Sequence, residues 1–194
     1  MDPQIAAAPN PTSPWIEPGA LPQWVPGSAI NRWVLQQRIY LSNSHRNYTV
    51  SSPPVQFVVN GVRGIRLSDA LLNRMHDLED GESTVLSNSG QKVTYRLEFP
   101  GYSSFSKAKY AKSAAGESIT RARMAYHIAE IVSNFIQDHD SFWPPQGFWR
   151  IGAGGLTMEH LYVRECHQVT KGSYQVVLEF DWTPPQAQAQ AQAT

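Results

Sequence analysis

Met124, Ala125, Ile128, Ile131, Val132, Phe135 and Ile136 recur at three- and four-residue spacing. That spacing places them along one side of an α-helix, and a stripe so apolar must be covered by other elements. The pattern extends over Gly116 to His139, so the chain is expected to build around one long helix. Carried back at about 100° per residue, the stripe runs through Arg121 and Glu117. An acid and a base continuing an apolar stripe end in a water-filled cleft or lie partly buried, and a cleft at the head of a core helix is a natural catalytic site. The same pair also reads as an ordinary i,i+4 pair at a helix start. Arg123, His127, Glu130, Asn134 and Gln137 form an equally regular polar stripe, read as the solvated face.

The elements around that helix follow from turn chemistry and alternation. Val55–Val59 and Val62–Leu67 flank Asn60-Gly61, a pair that tolerates the positive φ values of a tight hairpin. Ser68 is placed to cap a second helix running to about Glu79, with Gly81 just beyond it. Thr84–Leu86 and Lys92–Phe99 read as another hairpin, because Val93, Tyr95, Leu97 and Phe99 alternate as a half-buried strand does. After the long helix, Phe148–Ile151, Met158–Gln168 and Ser173–Trp182 read as strands, the last two joined by Thr170-Lys171-Gly172. Ser28–Tyr40 is read as opening with a short helix. Hairpins with intervening helices define an α+β fold: a largely antiparallel sheet of hairpins packed against one long and one or two shorter helices.

The 194 residues suit one domain. Seven prolines between Pro3 and Pro26 mark residues 1–27 as a Pro-rich disordered arm, with Trp15 and Trp24 available to pin it. Residues 28–183 form the α+β domain, and 184–194 are a Gln/Ala low-complexity tail. Sixteen basic and sixteen acidic residues cancel, so any nucleic-acid site is local rather than a general polycation. Cys166 stands alone, which excludes an internal disulfide and a cysteine-based zinc framework, and in a strand pattern it reads as a buried inert thiol. No segment reaches membrane-spanning length and Met1–Asn10 lacks the order of a signal peptide, so no membrane partner and a cytoplasmic location are expected.

The candidate chemistry lies just ahead of the long helix. Tyr102, Phe105, Lys107, Lys109, Tyr110 and Lys112 interleave amines with rings, as a single-stranded RNA site requires: the amines neutralise phosphates while the rings stack bases. This segment, read as a loop, delivers Tyr102 and Tyr110 beside Glu117 and Arg121, with Trp143 and Trp149 as reserve stacking residues. Glu130, Asp138 and Asp140 remain alternative acids. Asp138-His139-Asp140 has the residue types of a metal site but reads more simply as a solvated helix end, so no metal is expected. Gly152-Ala153-Gly154-Gly155 lacks the helix start and lysine of a phosphate loop and reads as a turn.

Leu161-Tyr162-Val163 through Val169-Thr170-Lys171-Gly172-Ser173-Tyr174-Gln175 resembles a C-terminal hairpin of the ledodin-like family, small proteins of mushroom-forming fungi, and the likeness extends over roughly Pro53 to Trp182. The resemblance implies a ribosome-inactivating rRNA N-glycosylase that removes an adenine from the sarcin–ricin loop of large-subunit ribosomal RNA, without a cofactor. Glu117-Ser118-Ile119-Thr120-Arg121 is also similar to the Glu and Arg one turn apart in plant ribosome-inactivating proteins, though the spacing is four rather than three. Glycosidic cleavage at adenine develops positive charge on the ribose and negative charge on the base, which a carboxylate and a guanidinium stabilise. The alternative is a non-catalytic cytosolic module that binds another protein through exposed aromatics and the proline-rich arm.

Overall fold

The computed structural model describes residues 14–16, 25–29, 31–40 and 52–181. Along the chain, β1 (Trp15–Ile16), β2 (Val25–Pro26), β3 (Arg32–Leu35) and β4 (Gln37–Arg38) come first, so the helix expected within Ser28–Tyr40 is replaced by strand. Asn31, at φ 64°, turns the chain between β2 and β3, and their pairing extends the sheet instead. β1 pairs with β4, so the described parts of the proline-rich arm, 14–16 and 25–27, carry strands joined to the body. The 184–194 tail lies outside the described residues.

The Asn60-Gly61 hairpin forms as its turn chemistry predicts, with φ 51° and 77° at the two residues. Its arms are broken into β5 (Val55–Gln56), β6 (Val58–Val59), β7 (Val62–Arg63) and β8 (Ile65–Arg66). The next helix, α1, covers only Leu67–Leu71 and not Ser68–Glu79. Ser68 lies inside it, its hydroxyl bonded to Glu159 rather than capping, and Asn73 at φ 55° ends the run. Thr84–Leu86 also departs from expectation. It does not pair with β9 (Lys92–Leu97); Thr84 bridges Thr120, and the Val85 N–H donates to the Ile119 carbonyl at 2.8 Å. The partner of β9 is instead β10 (Phe105–Tyr110), so the lysine-aromatic segment is an edge strand rather than a loop.

The long helix, α2, spans Arg121–His139. It starts at Arg121 rather than Gly116 because the preceding backbone is committed elsewhere. Ile119 N–H donates to the Ala111 carbonyl and Lys112 bridges Ser118. Thr120 then caps the helix, its hydroxyl accepting from Arg123 N–H at 3.2 Å. Ile151 only bridges Leu156, so Phe148–Ile151 is not a regular strand. β11 (Leu161–Thr170) and β12 (Ser173–Asp181) close the fold as a hairpin around Lys171-Gly172.

The result is an α+β fold whose main sheet runs β10-β9-β12-β11-β5, antiparallel except where β9 meets β12. α2 lays Met124, Ile128, Ile131 and Phe135 against Val93, Tyr95, Leu97 and the alternate β12 residues Tyr174, Val176, Leu178 and Phe180. Each large apolar side chain buried here contributes about 1.5–3 kcal/mol. On the far face of β12, Val177 joins Val25 and Val34 in a smaller cluster. Cys166 is buried in the main core, which pushes its thiol well above the ordinary range and leaves it inert. Neither described helix is long and apolar enough to cross a membrane.

β9 and β3 take successive stretches of one edge of β12 and diverge between them. Gln37, fully buried, fills the split: its amide donates to the Val176 carbonyl at 2.6 Å and accepts from Glu98 N–H at 2.9 Å. One side chain thus substitutes for the ladder bonds that the divergence removes.

Candidate functional site

Residues 113–120 fold back on the end of β10. Ser113 N–H donates to the Glu117 carbonyl at 2.8 Å, the Ser113 hydroxyl accepts from Glu117 N–H at 3.2 Å, and Gly116 turns at φ 84°. This turn holds Glu117 exposed, ahead of α2 rather than on it. Between the turn, the end of β10 and the first turns of α2 lies a groove of about 370 Å³. Tyr110, Lys112, Glu117, Thr120, Arg123 and His127 are among its lining residues.

Three of the residues marked out by the sequence, Tyr110, Lys112 and Glu117, meet in this groove. Tyr110 is 57% exposed. The Lys92 amine lies 4.6 Å from its ring centroid. Arg121 does not join them. Its guanidinium is 3.6 Å from Asp80 and donates to the Glu79 carbonyl at 3.4 Å, so Glu117 and Arg121 are not a helical pair. The arginine among the lining residues is Arg123, whose guanidinium lies 4.9 Å from the Tyr126 ring centroid.

Tyr102 is corrected outright as a stacking residue. It is buried, its ring edge-on to Phe99, Phe135 and His139, and its hydroxyl accepts from Ile151 N–H at 3.0 Å. Burial raises its pKa, as expected for a phenol in the core. Lys107 is exposed beside Phe105, with its amine 5.3 Å from the ring centroid. Lys109 is engaged with Glu130 at 2.6 Å. Among the reserves, Trp149 packs on Phe180, whereas Trp143 is 70% exposed under the Arg150 guanidinium.

The alternative acids divide by environment. Glu130 is paired to Lys109, and Asp140 accepts from Ala153 N–H at 2.8 Å, pinning the glycine-rich turn. Asp138 is exposed and lies outside the groove lining. No cluster of three or more metal-ligating side chains occurs among the described residues.

His127 is the groove residue that the sequence assigned wrongly. Read as solvated, it is only 5% exposed, because β10 crosses this side of α2. Its ring is edge-on to Tyr95, with centroids 6.3 Å apart. Burial, then the nearby Arg123 and Lys109 cations, push its pKa down to about 4 against the opposing pull of Glu130. The imidazole is therefore neutral at pH 7.

The residues lining the groove thus include the exposed Glu117, Arg123, Lys112, the exposed Tyr110 and the neutral His127. Searches against protein-family models, curated proteins and solved structures found no match to this chain.

Proposed function

We propose that this protein is an rRNA N-glycosylase that removes an adenine from the sarcin–ricin loop of large-subunit ribosomal RNA and so inhibits protein synthesis. The observation that carries the reading is the meeting of Tyr110, Lys112, Glu117 and Arg123 in one groove. In this reading Tyr110 stacks the adenine taken out of its loop, and Lys112 holds a flanking phosphate. The bond between ribose C1′ and adenine N9 breaks and its electron pair leaves with the base. A water oxygen bonds to C1′, and the water proton ends on the departing ring. Glu117 stabilises the positive charge that develops on the ribose, and Arg123, in place of Arg121, stabilises the negative charge on the base. Neutral His127 adds no competing charge beside Arg123.

The test is to incubate the purified protein with ribosomes and measure free adenine. Release by the native chain, reduced about a hundredfold or more in Glu117→Gln, is the expected result. A native chain that releases no adenine overturns the reading. The exposed Phe142 and Trp143 favour a second reading, a non-catalytic module that binds another protein through these rings. Such a module releases no adenine.

A further inference from the structure

The face of β9 and β10 turned away from α2 carries Lys92, Thr94 and Arg96 on one strand and Tyr110, Ala108 and Ser106 directly opposite on the other. Small side chains thus form a flat floor. At one end Lys92 lies 4.6 Å from the Tyr110 ring centroid; at the other, Arg96 lies 3.7 Å from that of Tyr40. Four residues of strand put the Cα atoms of Lys92 and Arg96 about 13 Å apart.

Tyr40 is held there through the neighbouring strand. Gln175, opposite Arg96 in register, accepts from Tyr40 N–H at 2.8 Å and donates to the Arg38 carbonyl at 2.6 Å. Among the described residues neither Lys92 nor Arg96 makes an ion pair, and the buried Arg96 Nε has no hydrogen-bond partner. The nearest acid along the strand, Glu98, is taken by Ser104 and Arg38. This floor is therefore locally positive in a chain whose formal net charge is zero.

We infer that this sheet face is a binding track for single-stranded RNA, with unpaired bases stacked on Tyr40 and Tyr110 and the intervening phosphates held by Arg96 and Lys92. Rings flanked by cations on a sheet face are an arrangement on which unpaired bases stack, and here Tyr110 is exposed while Tyr40 is half-buried under Arg96. Tyr110 belongs to both the track and the groove, so a strand lying along the face is delivered to Glu117. In that respect the inference rests on the proposed glycosylase reading.

The experiment measures binding of a fluorescent eight-nucleotide oligoadenylate RNA to the full chain across a salt series, alongside adenine release from ribosomes. Tyr40→Ala and Tyr110→Ala are each expected to weaken oligonucleotide binding about ten- to a hundredfold, while Tyr40→Phe retains it. Arg96→Gln and Lys92→Gln should each flatten the salt dependence by roughly 0.7 in the logarithmic slope. Near-native circular dichroism of each variant separates lost binding from lost folding.

Native oligonucleotide binding by Tyr40→Ala and Arg96→Gln overturns the track, and leaves the glycosylase reading standing if adenine is still released. Binding that depends on Tyr40 and Arg96 without any adenine release supports the track and overturns the glycosylase reading. A native chain that neither binds the oligonucleotide nor releases adenine overturns both.

Discussion

Lys109 Nζ lies 2.6 Å from Glu130 Oε1, and this ion pair joins the packing of Phe105 on Phe135 in tying the edge strand β10 to the helix it crosses. Both side chains keep partial access to water, so the pair is expected to contribute only about 0.2–1 kcal/mol. A double-mutant cycle with Lys109→Gln and Glu130→Gln, followed by urea unfolding, should return a coupling energy in that range. Glu130→Gln should also keep adenine release near native. Loss of release in that variant would move the catalytic acid from Glu117 to Glu130.

Gln37 should matter far more to stability. Gln37→Leu keeps much of the volume but leaves the buried Val176 carbonyl and Glu98 N–H without their partner. Each unsatisfied group costs about 1–3 kcal/mol, so a loss on the order of 2–6 kcal/mol is expected from chemical denaturation. A loss below 1 kcal/mol would mean that β3 and β9 close the split by themselves.

The low pKa of His127 makes stability depend on acid. Above the ordinary histidine value near 6.5 the imidazole is neutral in both folded and unfolded chains, and the contribution is fully present. Between about 6.5 and about 4 the unfolded chain takes up a proton that the folded chain refuses, so stability falls with pH across that window. The shift corresponds to a loss on the order of 3 kcal/mol by pH 4. Unfolding free energies of the native chain and His127→Gln, compared at pH 7.5 and 4.5, should show a smaller acid loss in the variant. Equal losses would assign the acid sensitivity to other groups.

Arg121, outside the proposed site, and Arg123, which lines it, offer a direct contrast. Arg123→Gln should lower adenine release on the order of a hundredfold, because it removes the charge of the arginine that lines the groove. Arg121→Gln should leave release near native and cost only the contacts to Asp80 and the Glu79 carbonyl. The reverse pattern would restore the acid–base pair first read from the sequence and displace Arg123.

What could be read from the sequence was local. Asn60-Gly61 and Lys171-Gly172 specify their turns within a few residues, and the stripe from Met124 to Phe135 specifies a buried helix face at any location. Tyr110, Lys112 and Glu117 were found because only a tight turn separates them along the chain. What was missed depends on pairing at a distance. β10 shows no apolar alternation because it is an edge strand open to water, so it passed for a loop. His127 looked solvated because helical periodicity does not reveal a strand crossing that face. Tyr102 looked exposed beside Pro100-Gly101, yet the chain there tucks the ring against Phe135 and His139.

The position of β12 has a consequence for how the protein is made. β3, β9 and β11 all pair with this strand, which begins at Ser173; β11 does so through a local hairpin, whereas the pairings with β3 and β9 join residues far apart in the chain. A nascent chain that has emerged only as far as Gly172 therefore holds three strands without their common partner. Such non-local pairing folds slowly, since long loops must close before the contacts form. During synthesis the groove at the head of α2 has no completed sheet beneath it, so the proposed activity is expected to arise only after β12 leaves the exit tunnel.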